Sequence, residues 1–151
     1  NEGYVIEKIE KDLNSFIGHS FEDVCKDVFI MMNKESHLLP FKFLKIGRWW
    51  GYRREGGIRK ELEIDFIAIN DNTKEIIFVE CKWKENVNAK KVLELLKEKV
   101  VTVDWNNENR KEYYAVFAKS FKEKIGEPNV LLFDIKYIEN VIMKTNQNEN
   151  N

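Results

Sequence analysis

Two cysteines and two histidines in 151 residues leave little material for thiol or zinc chemistry. Cys25, Cys81, His19 and His37 could together supply four zinc ligands, but their spacing matches no CxxC or HxxxH pattern. The expectation is two small buried hydrophobes in a reducing compartment. No run of 18 apolar residues occurs, so no membrane span is expected. No signal peptide is visible, and the expected location is cytoplasmic. An excess of charge of one sign is also missing. The net charge of −1 does not advertise a nucleic-acid binder, although a phosphate backbone responds to a local patch and not to the total.

What is present suits one soluble domain with a sizeable core: 43% apolar and 34% charged residues over 151 positions. The chain opens at Asn1 without methionine, as expected of a piece of a longer or trimmed protein. Apolar residues at Val5, Ile6, Ile9, Leu13 and Phe16 predict a short amphipathic helix over 4–16. Residues 1–16 are expected to be the end of an upstream domain, 17–144 the main domain and 145–151, polar and Asn-rich, a disordered tail.

Ser20 followed by Asp23 reads as a capping box, and Phe21, Val24, Cys25, Val28, Phe29 and Met32 recur behind it at helical spacing. Strands are expected over 41–50, 62–69, 76–83, 113–118 and 130–133. A glycine- and arginine-rich loop is expected over 51–60 and a turn at Asp71-Asn72. A second long helix carries Val92, Leu93, Leu96, Val100 and Val103, with Asn88 as N-cap, and a closing helix covers 135–143. Three strands, a crossover helix and a further strand imply a mixed sheet with helices on both faces.

Period-two geometry isolates a constellation. In the third strand Ile76, Phe78, Glu80 and Lys82 share a face, and the ionisable pair ends an apolar stripe. In the second, Glu61, Glu63, Asp65, Ile67 and Ile69 share a face. A hairpin symmetric about Asn72-Thr73 sets Ile69 opposite Ile76, Asp65 opposite Glu80 and Glu63 opposite Lys82. A bulge would shift this register. Facing carboxylates repel unless a cation lies between them, and Mg2+ or Mn2+ suits such oxygen donors. Asp65 and Glu80 are therefore the candidate metal ligands, with the backbone carbonyl of Cys81 as a third. Lys82 is placed to orient or deprotonate the attacking water or to meet phosphate charge. Glu22, flanking the apolar face of the first capped helix, could reach the metal through water. The alternative for each residue is an ordinary solubilising charge at a strand end.

Arg48, Arg53, Arg54, Arg59 and Lys60 surround Trp49, Trp50 and Tyr52. That mixture suits phosphate contact and base stacking, and also a plain solvated loop over core tryptophans. Exposed Trp49 and Trp50 could instead form a homodimer interface. Lys90, Lys91, Lys97 and Lys99 alternate with Glu94 and Glu98, which favours a solvated helix face. Trp105 is expected to anchor a helix end.

Asp65 followed one hairpin later by Glu80-Cys81-Lys82, with Glu22 on the preceding helix, resembles the PD-(D/E)xK signature of restriction-endonuclease-like nucleases. Ile64 stands where the signature's name has proline. The resemblance implies a three-layer α/β/α fold around a central four-stranded mixed sheet, and a Mg2+-dependent endonuclease, a phosphodiester hydrolase acting on DNA. Four segments in order look like the C-terminal domain of an archaeal family of AAA-type ATPases: Gly18-His19-Ser20-Phe21-Glu22, Arg48-Trp49-Trp50-Gly51, Glu63-Ile64-Asp65 and Val79-Glu80-Cys81-Lys82-Trp83. That likeness covers residues 15–120 and implies an ATPase module as partner. This chain has no Walker motif of its own. The rival expectation is a catalytically silent docking or regulatory module for the ATPase.

Overall fold

A computed structural model describes residues 20–35 and 37–149. The helix expected over 4–16, His19 and the last two residues lie outside that range. The first described element, α1 (Phe21–Asn33), starts where the capping box puts it. Ser20 Oγ accepts from the Asp23 amide at 3.3 Å, and the Asp23 carboxylate accepts from the Ser20 amide at 3.2 Å. Asn33 ends the helix and grips the incoming strand segment through two 3.0 Å hydrogen bonds with the Phe43 backbone.

Three antiparallel strands follow: β1 (Lys45–Glu55), β2 (Ile58–Asn70) and β3 (Glu75–Lys82). Then come α2 (Ala89–Val100), β4 (Lys111–Ala118) parallel to β3, β5 (Val130–Phe133) parallel to β4, and α3 (Ile135–Glu149). The sheet is mixed, in the order β1-β2-β3-β4-β5. It has five strands, where the resemblance implied a central four, because the strand expected over 130–133 pairs along its whole length with β4. Asn88 caps α2 by accepting from the Lys91 amide at 3.2 Å. That helix stops at Val100, and Val103 packs into the same cluster without being helical.

The loop expected over 51–60 is instead a long β-ribbon. Gly56 and Gly57 take φ of +55° and +82°, the double positive-φ geometry of a tight two-residue hairpin, so both strands run on past Trp50. The tail expected from Thr145 is helical as far as Glu149, since nothing there supplies a helix stop, and Thr145 Oγ1 donates to the Val141 carbonyl at 3.0 Å.

The core lies on both faces of the sheet. Under α1 and α3, Phe29, Phe66, Phe117, Ile77 and Val79 are buried with Cys25 and Ile138. Under α2, Ile64, Ile76, Phe78 and Leu96 are buried, with Trp49 packed against them. Helices therefore cover both faces, as the chain order implied. Among the described residues no helix is long and apolar enough to cross a membrane.

Candidate active site

β2 and β3 pair with the expected register, from Asn70 opposite Glu75 to Phe66 opposite Val79. The ladder ends there, one step before Asp65 would meet Glu80. The reason is a bulge. Between Gly47–Ile67 and Trp49–Ile64 the β1–β2 register shifts, so Arg48 on β1 faces two β2 residues, Asp65 and Phe66. This breaks the expected alternation, and Ile64 joins Ile67 and Ile69 on the α2 side. β2 then leaves β3, and beyond Ile64 it pairs with β1 alone.

Asp65 consequently lines a small cleft of about 170 Å³ on the α1 side, with Glu22, Lys26 and Arg48. Glu80 and Lys82 line a larger one of about 370 Å³ under α2. The two carboxyl groups approach from opposite faces, yet they meet where the strands splay. Asp65 Oδ2 accepts from the Cys81 amide at 2.7 Å, occupying a position that a strand carbonyl would otherwise fill. Glu80 is 4% exposed, and its pKa is pushed up to about 7, first by burial and next by the neighbouring Asp65 charge. The Lys82–Glu63 pairing expected from the register is absent because the strands have parted. Both residues line the same cleft, and among the described residues Lys82 has no ion-pair partner.

One participant was missed from sequence. Lys99, read as part of a solvated helix face, places Nζ 3.0 Å from Glu80 Oε1 and opposes the upward shift of that carboxyl. Its i,i+4 neighbours suggested a surface role. Only the crossover that lays α2 over β3 brings it inward. Glu22 is held by Arg48 through bonds of 3.1 and 3.3 Å and shares the cleft with Asp65. It is brought near Asp65, with its charge already shared.

The Cys81 thiol faces Cys25 on α1. Contact with that second thiol, then burial, pushes the Cys81 pKa up, so Cys81 stays a neutral group, and Cys25 is fully buried in the core beside it. His37 lines a separate pocket between α1 and α3. Among the described residues no group of three or more His, Cys, Asp or Glu side chains could hold a metal. Two carboxylates in mutual repulsion, one of them buried, nonetheless fit a hard divalent ion, which commonly takes one or two carboxylates plus water.

Residues 1–92, more than half of the chain, match the family described as "Archaea bacterial proteins of unknown function", DUF234. The chain belongs to that family. An uncharacterized protein of Methanocaldococcus jannaschii is 43% identical over 135 residues, covering 87% of this chain and 28% of the relative. The DUF234 chain thus spans little more than a quarter of that relative's length. No solved structure matches it.

The basic residues of this DUF234 chain are spread along the ribbon. Arg53 pairs with Glu55 at 2.7 Å and Lys60 with Glu55 at 3.7 Å, and both line the cleft under α2. Arg48 stands over Trp50, and Arg59 stacks on Tyr52 at 4.0 Å while approaching Glu61 at 3.8 Å. Arg54 is exposed. Of the two adjacent tryptophans only Trp50 is open, at 63% exposure. Trp49 turns into the core, its ring so close to Gly51 that a Cβ there would lie 2.4 Å from it. Of the two rings expected to be exposed together, Trp49 is instead partly buried against the α2 cluster. Trp105 packs behind the end of α2, as expected.

Proposed function

We propose that the domain is a divalent-metal-dependent nuclease of the restriction-endonuclease-like type, acting on DNA as the C-terminal part of an ATPase. The observation that carries this reading is the meeting of Asp65 and Glu80 at the splay of β2 and β3, with Lys82 one same-face step further on. In this reading β1–β4 are the four-stranded core of the nuclease fold and β5 an added edge strand.

Asp65 and Glu80, with the Cys81 carbonyl, would hold Mg2+ or Mn2+. Once bound, the ion lowers the pKa of a water and polarises a phosphoryl oxygen. Lys82, without a carboxylate partner among the described residues, would orient the attacking water or meet the charge on the phosphate. Lys99, 3.0 Å from Glu80 Oε1, opposes the rise in that carboxyl's pKa and so favours its ionised form. Glu22 supports Asp65 from the α1 side.

Incubation of plasmid and single-stranded DNA with Mg2+ or Mn2+ tests the assignment. Cleavage by the wild type and its loss in Asp65→Ala are expected, and equal activity in the two proteins would remove it. A second reading, the silent docking module, is favoured by one observation. Lys99 and Arg48 already neutralise Glu80 and Glu22. Calorimetry separates the two: no heat with Mn2+, together with tight binding to the ATPase part, selects the module.

A further inference from the structure

The side of the ribbon facing α1 carries features that a metal site does not use. Residues 48, 50, 52 and 54 alternate to that side, since Trp49 points the other way into the α2 cluster. Trp50 is 63% and Tyr52 53% exposed, an unusual openness for two large rings on one strand. Each ring has a guanidinium over it: Arg48 at 5.9 Å from the Trp50 centroid and Arg59 at 4.0 Å from that of Tyr52. A third aromatic, Trp83, about a third exposed at 37%, follows the Glu-x-Lys strand end and carries Lys119 at 4.0 Å. The first turn of α1 links the groups. Phe21 packs on Trp83 at 4.7 Å, and the adjacent Glu22 holds the Arg48 that covers Trp50. Asp65 lines the cleft at that same turn.

Charge alone does not explain this surface. Glu63 stands beside Arg48 and Glu61 beside Arg59, so the patch is close to neutral. A cationic stripe would suit the phosphates of a duplex, whereas open ring faces serve only bases that are not already stacked in one.

We propose that this face binds an unpaired nucleic-acid strand, with Trp50, Tyr52 and Trp83 as stacking platforms and Arg54, Arg59 and Lys119 as phosphate contacts, and leads it past Asp65. The inference rests on the nuclease reading for its purpose, but its test needs no cleavage.

Fluorescence anisotropy of the full chain in EDTA, with a labelled oligothymidylate of about 12 nucleotides and a duplex of equal length, decides it. The single strand is expected to bind at least about tenfold more tightly, to quench tryptophan emission, and to show a shallow salt dependence. Trp50→Ala and Tyr52→Ala should each weaken strand binding roughly five- to fiftyfold without changing the melting temperature, while Trp50→Phe retains most of it. Duplex binding as tight as strand binding, or strand affinity indifferent to Trp50→Ala and Tyr52→Ala, would overturn the proposal. Strand binding that depends on Trp50 in a wild type that cuts nothing would remove the nuclease reading and leave this one standing. Cleavage lost in Asp65→Ala but unaffected by Trp50→Ala would do the reverse.

Discussion

The two halves of β2 make one strand with two characters. From Phe66 to Asn70 it is paired with β3, and from Ile67 to Ile69 with β1 as well; Phe66 and Ala68 are completely buried. From Ile58 to Ile64 it is paired by β1 alone and is largely exposed, with only Leu62 and Ile64 turned inward. Asp65 sits at the border. Deeper in the sheet a carboxylate would lose its hydration without recompense. Further out it would lie beyond reach of Glu80. The bulge opposite Arg48 is the device that ends one regime and begins the other. The two acids therefore meet where the packing changes, and not at either extreme.

The contrast can be broken or sharpened by measurement. Phe66→Ala, in the inner half, should cost about 3–5 kcal/mol in urea unfolding, because the site is packed on every side and cannot collapse. An effect no larger than that of a ribbon truncation would mean that the halves do not differ.

At the border itself, the buried carboxyl of Glu80 makes stability depend on pH. Its folded pKa of about 7 lies above the unfolded value, so the folded chain binds the proton more tightly. Stability is greatest below the unfolded carboxylate pKa of about 4.3 and declines until the pH passes about 7, by on the order of 3 kcal/mol. Thermal unfolding in EDTA at acid and mildly alkaline pH should show this decline in the wild type and its near absence in Glu80→Gln. A wild type with no such slope would contradict the geometry.

The smallest effect concerns two lysines on α2. Lys99→Met, which strips Glu80 of its 3.0 Å partner, should destabilise the metal-free chain by about 1 kcal/mol above neutral pH and much less in acid, where Glu80 is protonated. Lys97→Met, whose partner Glu127 is half-exposed, should stay within about 0.5 kcal/mol at either pH. Equal effects would return Lys99 to the solvated face its spacing suggested.

Much of this was legible locally. The Ser20–Asp23 box, the Asn88 cap and the hairpin symmetry about Asn72-Thr73 rest on neighbours a few residues apart, and each stands in the structure where its residues put it. The ribbon was misread because Gly51 and the Gly56-Gly57 pair look alike in sequence. The pair makes a turn, while Gly51 makes room for the Trp49 ring. The bulge, flagged only as a hazard to the register, redirected Asp65 to the α1 side.

The order and spacing of apolar residues, caps and turn formers determined the elements, the α/β class and the identity of the ionisable residues at the ends of β2 and β3. Such signals act over a few residues and survive in any context. Where Asp65 points, which lysine Glu80 meets and which tryptophan stays open were decided only when α1 and α2 closed on opposite faces of the sheet. Those outcomes depend on contacts between segments about 20 residues apart or more, whose balance of burial and charge no local pattern contains.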